Sequence, residues 1–313
     1  MSKGPLISLQ SVDIKLLRIF AAVVRNGGFA AAQAELNIAS SSISDSISQL
    51  ETRLGLRLCE RGRSGFLLTE DGRKAHEAAV RVLEALDRFR SDVGDIKGEM
   101  VGALRLGTVD AIASATSWIL HETIRRFSEL APGVQIRVEL DSTQALVAGL
   151  LQDRYDAAVV PIYRRIGDLD LVHVGKSRQT LFCGREHPLF TVPDDRLDMD
   201  TIAKAPFVAL THMQGWSHPA NIQFNEQAST SYMEGVATLV LSNAYVGFLA
   251  EHYAQSWVDM GAMRPLLPDK LSYGSDCYLA AAKRMSTSRI INAFMTVARK
   301  IQNELGYVGQ EAE

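Results

Sequence analysis

The 313-residue sequence holds little that would mark a secreted domain, a membrane protein or an enzyme. Its three cysteines, Cys59, Cys183 and Cys277, are scattered without CxxC spacing, which suits a reducing cytosol and speaks against a disulfide framework. No apolar run reaches the roughly 18 residues of a membrane span. The N-terminus lacks the apolar core of a secretory signal, so a cytoplasmic chain with no membrane contact is expected. The seven histidines show neither HExxH nor any paired metal spacing. There is no GxSxG and no P-loop, and "RLGTVDAIAS" at 105–114 is not a dinucleotide fingerprint. No nucleophile, base and orienting group can be assembled from spacing, so neither catalysis, nor a cofactor, nor a metal is expected.

Hydrophobic residues, at 47%, are ample for two or three cores. Charge is uneven. Residues 1–69 carry a net +3 and the remaining residues a net −6, a basic head on an acidic body. Such a head suggests contact with a polyanion, although +3 is a weak electrostatic signal.

Within the head, "ASSSISDSISQLETRL" at 39–54 has the composition of a flexible spacer but the periodicity of a helix. Ile43, Ile47, Leu50 and Leu54 form one apolar stripe, Ser40 is the expected N-cap, and Gly55 sits where the helix would stop. The serines then occupy its outward face. Two shorter helices are expected before it, at 13–25 and 29–36, the last joined to it by a short turn. That is a helix-turn-helix pattern, whose second helix enters the major groove of DNA. After Gly55, "LRLCERGRSGFLLT" reads as a hairpin wing whose tip offers Arg61 and Arg63 to phosphate or the minor groove. Cys59, at the start of the wing, is expected as small apolar filler. The competing reading of the head is a small helical packing domain with a solvated loop.

From Thr69, a good N-cap followed by Glu70 and Asp71, a helix over 70–97 would span roughly 42 Å. Ala75, Ala79, Val82, Leu86, Phe89, Val93 and Ile96 recur on it as a heptad seam, the pattern of a dimer contact. Its alternative is an amphipathic helix lying on its own body. Beyond Gly98, strands at 103–109, 134–140 and 155–162 alternate with helices at 114–130 and 143–152, a βαβαβ unit with a parallel sheet. A second set follows: "TLFCGREHPLF", a strand at 205–211, a helix near 232–250, a strand at 277–283 and a last helix at about 287–305.

Phe20, Phe29, Ala32, Leu36, Ile43, Ser44 and Ile47, followed by "QLETRLGLRLCERGRSGFLLTEDG" at 49–72, carry a dense, ordered resemblance to the LysR-type transcriptional regulators. The resemblance extends over nearly the whole chain. It implies an α/β multidomain fold: an N-terminal winged helix-turn-helix (1–69), a linker and dimerisation helix (70–98), and a two-lobed periplasmic-binding-protein-like α/β effector domain (99–313). Lobe I would be 99–165 with 286–313, and lobe II 166–285. It implies as partners double-stranded DNA, a small-molecule effector, a second copy in a homodimer or homotetramer, and RNA polymerase.

DNA contacts are then expected from Ser40, Ser41, Ser42, Ser44, Asp45, Ser48, Arg53, Arg61 and Arg63, and dimer contacts from Ala79, Val82, Leu86, Phe89 and Val93. The chain departs from the family where Ser-Gln-Pro-Ala-Val-Ser-Arg becomes Ala39 to Asp45, and where Ser-Phe-Thr becomes Gly28-Phe29-Ala30. Asp45 stands where a basic residue is common. It either accepts from cytosine N4 or is a solvated first-turn residue facing the helix dipole.

Ligands of open α/β sheets sit beyond the carboxyl ends of strands. Thr108, Ser114, Ser142 and Thr143 are therefore candidate effector contacts, the last pair resembling the family's effector loop. Tyr163, His212, Trp216 and Phe248 are candidates for the same cleft, though an aromatic alone is more often core or surface than ligand contact. The family's Gly-x-Gly followed by Pro is replaced by Asn243-Ala-Tyr245 and Ala250, which alters the expected pocket. A helix opened by Ser142 and Thr143 favours an anion, so the expected effector is a small carboxylate with an apolar or aromatic body. A reading from another class is a cytosolic ligand-binding module whose basic head binds a protein.

Overall fold

The computed structural model describes residues 10–62, 65–115, 118–162, 167–211 and 222–305. The chain divides into two compact units, residues 1–94 and 95–313.

In the first unit, α1 (Ser11–Arg25), α2 (Phe29–Leu36) and α3 (Ser40–Leu54) are followed by the hairpin β1 (Cys59–Gly62) and β2 (Gly65–Leu68), and by α4 (Glu70–Lys97). The apolar stripe of α3 is the centre of the core: Ile43, Ile47 and Leu50 are buried against Phe20, Val23, Ala32 and Leu58. Asn37, in the left-handed conformation at φ 52°, ends α2 and sets the tight turn into α3. Ala39, not Ser40, is the N-cap of α3, and it makes no side-chain cap bond. Ser40 is the first helical residue, a correction to its expected capping role, because the extended backbone of the turn reaches one residue further back. Gly55 terminates α3 at φ 66°, as its position predicts.

The wing is a short antiparallel ladder running from Cys59 opposite Leu68 to Gly62 opposite Gly65. Cys59 is buried in the head's core, as expected of an apolar filler. Thr69 Oγ1 accepts the Gly72 N–H at 2.8 Å and donates to the Arg57 carbonyl at 2.6 Å, so one hydroxyl both caps α4 and ties it to the start of the wing. The first turns of α4 lie on the head itself. Ala79 is 2% exposed within that core, with Ala75, Val82 and Leu83 packed around it. Ala79 is thus removed from the expected dimer seam, and Val82 serves the head's own core. Further along, Phe89 is 65% and Ile96 85% exposed.

The second unit is built on one nine-stranded sheet. Its parallel part, β3 (Gly102–Thr108), β4 (Val134–Leu140) and β5 (Ala157–Pro161), is linked by α5 (Leu120–Leu130) and α6 (Thr143–Leu151), the expected βαβαβ unit. The helix expected over 114–130 is shorter than that. Residues 112–114 form a single 3-10 turn, and α5 begins only at Leu120. The intervening Trp118 and Ile119 are buried, and Ile119 N–H donates to Val174 O at 3.1 Å, a bond that a continuous helix would forbid.

Two long strands, β6 (Leu169–Gly184) and β11 (Ser272–Ala282), pair antiparallel and run through both halves of the sheet. Their register shifts once, between Cys277 and Tyr278. On one side β11 meets β5; on the other β6 meets β9 (Val246–Ala250), which continues to β7 (Pro206–Leu210) and β8 (Asn225–Thr230). The short β10 (Met263–Pro265) pairs with β6. The remaining helices are α7 (Met199–Lys204), α8 (Met233–Leu241), α9 (Glu251–Asp259) and α10 (Arg289–Glu304). The stretch expected as one helix near 232–250 is therefore a helix and a strand. Asn243 at φ 65° breaks it, and the run Val246–Ala250 is fully buried as β9. "TLFCG" is the end of β6, not an element of its own.

Each half has its own core. In one, Phe127 meets Phe294 of α10 edge to face, with centroids 5.1 Å apart. In the other, Leu181, Val246, Phe248 and Leu266 pack together.

Candidate functional site

Two places bring the candidate residues together. On the head, Ser41, Ser42, Asp45 and Ser48 are exposed on one stretch of α3, with Ser40 and Ser44 half-buried beside them. Several hydroxyl protons on this helix are turned inward: Ser46 donates to Ser42 O at 2.7 Å, Ser48 to Ser44 O at 3.0 Å and Thr52 to Ser48 O at 2.9 Å. Their oxygens keep lone pairs for donors from outside.

Arg53 does not fit the expectation of a free charge for DNA. Its guanidinium grips the buried Asp13 carboxylate through Nε and, at 2.7 Å, through Nη2. This pair, together with the Gln10 N–H, holds Asp13 below the usual carboxylate range. Arg53 thereby fastens α3 to the first turn of α1. The signal missed in the sequence was Asp13, an acid on the inner face of α1 that requires a partner. Arg61 lies on β1 opposite Phe66; Arg63 falls outside the described residues.

In the second unit, the carboxyl ends of β3, β4, β5, β7, β8 and β9 meet the middle of β6 and β11 around a cleft. Thr143 lines it from the start of α6. Ser142 is the N-cap of that helix, its Oγ accepting the Ala145 N–H at 3.3 Å. Ser114 reaches the cleft through His252, with Oγ and Nδ1 2.9 Å apart.

Thr108 is buried and donates to Val109 O at 3.0 Å, behind the cleft wall. Phe248 is a correction. It is 6% exposed and packed against Phe207, Phe224 and Tyr273 in an aromatic cluster of the core, and it does not line the cleft. Tyr163, His212 and Trp216 fall outside the described residues.

The wall that sequence reasoning missed includes Asp110, Trp118, Asp141 and His252. Asp141 follows β4 directly, which is the signal that would have found it, whereas Asp110 stands two residues beyond β3. The Asp141 carboxylate is internally engaged, accepting Ser142 N–H at 2.8 Å and Tyr155 OH at 3.2 Å and pairing with Arg154 at 3.0 Å. Asp110 Oδ2 accepts Glu234 N–H, at the start of α8, at 2.9 Å. Burial raises the Asp110 pKa, and burial lowers that of His252. Cys277, also on the wall, has its thiol pushed up to about 12 by burial and is no nucleophile at neutral pH. Among the described residues no group of three or more His, Cys, Asp or Glu could hold a metal ion.

Residues 14–73 match the family model for the bacterial regulatory helix-turn-helix protein, lysR family, and residues 97–302 that for the LysR substrate binding domain. The chain belongs to the LysR family of transcriptional regulators. Among its relatives, the HTH-type transcriptional activator BauR of Pseudomonas aeruginosa is 31% identical over 296 residues, 94% of this chain and 97% of its own. The SDS degradation transcriptional activation protein of a Pseudomonas species is 32% identical over 62% of this chain and 63% of its own.

The same architecture is seen in the crystal structure of full-length CbnR complexed with its target DNA, with a TM-score of 0.62 at 18% identity, covering 92% of this chain and 98% of that one. The crystal structure of a full-length AphB variant gives 0.57 at 17% identity, covering 93% and 98%. This LysR-type chain is thus a DNA-binding transcriptional regulator and not an enzyme, with a winged helix-turn-helix head and a two-lobed α/β effector domain. Among its described residues no helix is long and apolar enough to cross a membrane.

Proposed function

We propose that this regulator acts in the cytoplasm as a homo-oligomer, reads its operator through α3 and is tuned by a small carboxylate with an apolar or aromatic body. The observation that carries the DNA reading is the exposed face of α3, where Ser41, Ser42, Asp45 and Ser48 stand clear of the core just after a tight turn. Small hydroxyls allow close approach to phosphate and base edges, and a second copy presents the same face to a second half-site. Asp45 on this face either accepts from cytosine N4 or remains solvated. RNA polymerase is the further partner that a DNA-bound regulator of this kind would meet. The reading of a module whose basic head binds a protein is not favoured, since the head matches the family's DNA-binding model.

Arg61 and Arg63, at or beside the wing tip, are proposed to add non-specific affinity. Replacing both with Ala should weaken binding to all duplexes alike and lower the salt slope by roughly two units at most. Retention on duplex DNA across a salt series measures this, and an unchanged slope removes the wing from the interface.

For the effector, the supporting observation is Thr143, which lines the cleft at the first turn of α6. There its hydroxyl and free backbone N–H groups favour an anion. Titration calorimetry should register a loss of roughly 1–3 kcal/mol in carboxylate binding for Thr143→Val. Binding by phosphates or amines alone, or an intact affinity in the variant, would reject the assignment.

A further inference from the structure

The cleft carries acceptors that a carboxylate alone leaves unused. Asp110 projects from the loop after β3 into a half-buried position on the wall. One of its oxygens takes the Glu234 N–H at 2.9 Å. His252, lining the same cleft, stands at the start of α9 on a part of the wall that comes from the other half of the sheet.

The tautomer of His252 is assigned from its hydrogen bonds, with the Ser114 proton placed on the Ala111 carbonyl. The Ser114 hydroxyl has a single proton, and it donates that proton to Ala111 O at 3.0 Å. Its 2.9 Å contact with His252 Nδ1 is then one in which the imidazole donates and the serine oxygen accepts. With Nδ1 protonated, neutral His252 keeps its lone pair on Nε2 and is an acceptor there. Burial keeps this ring neutral by lowering its pKa, and the edge of the Trp118 ring lies 5.9 Å from it, centroid to centroid. Burial works against the charge on Asp110 and outweighs the backbone N–H groups of Glu234, Asp110 and Met233 that favour it, with the Glu234 carboxylate a smaller opposing charge. A bound cation would relieve that cost.

We propose that the effector also carries a protonated amine, held by the Asp110 carboxylate and His252 Nε2, so that the ligand is a small amino carboxylate whose acid end lies at Thr143. This rests on the carboxylate reading above and adds the second pole. The two acceptors come from opposite halves of the unit, so an ammonium between them bridges the halves, whereas a plain carboxylate engages one side only. A charge-assisted hydrogen bond to Asp110 is the main source of discrimination.

Titration calorimetry on the full chain with matched straight-chain probes tests this: the monocarboxylate, the primary amine and the ω-amino carboxylate at each length from two to six carbons. At the best length the amino carboxylate should bind about ten- to a hundredfold more tightly than the carboxylate of the same length. Asp110→Asn retains an acceptor for Glu234 N–H and should abolish most of that advantage, leaving the plain carboxylate's affinity unchanged or improved. His252→Leu should reduce the advantage by a smaller factor, and the thermal midpoint of each variant reports whether it is folded. Equal affinity for carboxylates and amino carboxylates would overturn the inference while leaving the carboxylate reading intact. An advantage that survives in a folded Asp110→Asn chain would also overturn it. Amines binding as well as amino carboxylates, or no binding in any class, would overturn both.

Discussion

Replacing Phe89 with Asp should convert the protein to a monomer and lower its affinity for a two-half-site operator by about a hundredfold or more. Phe89 is a large aromatic side chain, 65% exposed on α4, one heptad step before Ile96 at 85%. Val93, between them, and Leu86, one seam position before Phe89, are both half-buried. Such a run on a long helix is a surface that a second copy would cover in a coiled-coil-like contact. A carboxylate placed in that contact must be desolvated in both copies without a partner, which costs several kcal/mol. Loss of the second head then removes the gain of tethered binding, on the order of a hundredfold to ten-thousandfold. Sedimentation gives the oligomer and titration of labelled operator the affinity. Leu86→Asp should act in the same direction. An unchanged oligomer in the Phe89 variant would take α4 out of the dimer contact.

The second large effect is expected at Gly72. A Cβ at this position would lie 2.0 Å from the Leu58 carbonyl oxygen and 2.9 Å from its carbon. Neither can give way easily, because the same oxygen accepts the Thr69 N–H at 3.0 Å and Leu58 is itself buried in the core. Thr69 Oγ1, the cap of α4, would be only 3.1 Å away. Gly72→Ala therefore forces α4 off the base of the wing and strains its cap together. The cost should reach roughly 3 kcal/mol, the upper end of ordinary overpacking, since backbone and not a flexible side chain is in the way. For a head of this size that is a fall on the order of ten degrees in its melting midpoint.

Gly55→Ala is the informative contrast. Nothing lies within 4 Å of a Cβ there, and only the left-handed φ of 66° is strained. Its cost should be nearer 1 kcal/mol. Hydrogen exchange on the full chain separates the two variants, with loss of protection confined to residues 11–83 in the Gly72 variant. Equal protection in both would refute the steric argument.

The head was legible because each of its elements has one buried face and a local stop signal. The stripe of Ile43, Ile47 and Leu50 and the terminal Gly55 predict α3 to within a residue, missing only that Ala39 holds the cap position. The same reasoning failed where both faces are buried. From Val236 to Ala250 apolar residues are nearly continuous, and periodicity does not divide them; the division comes from the left-handed Asn243.

Pattern also identifies an inward side chain without saying what covers it. Ala79 belongs to a heptad series and yet packs under its own head, and Phe248 follows the spacing of a cleft residue but points into a ring of aromatics. In the cleft, the polar groups at strand ends on the amino side of the unit were visible from the sequence. Asp110 and His252 were not, because their meaning depends on two halves that are more than a hundred residues apart in the chain.

The paired strands β6 and β11 belong to both halves, and this constrains how the cleft can change width. Two bodies joined by a flexible strap can swing apart; two bodies sharing an unbroken ladder can move only by winding or unwinding it. The ladder between residues 169–184 and 272–282 has one register fault, at Cys277 and Tyr278, and Cys277 is on the wall of the cleft itself. Torsion in the ribbon is therefore concentrated next to the cleft. A small rotation there is levered outward along strands on either side, so displacement grows with distance from the cleft and is greatest at the outer edges, β4 and β8.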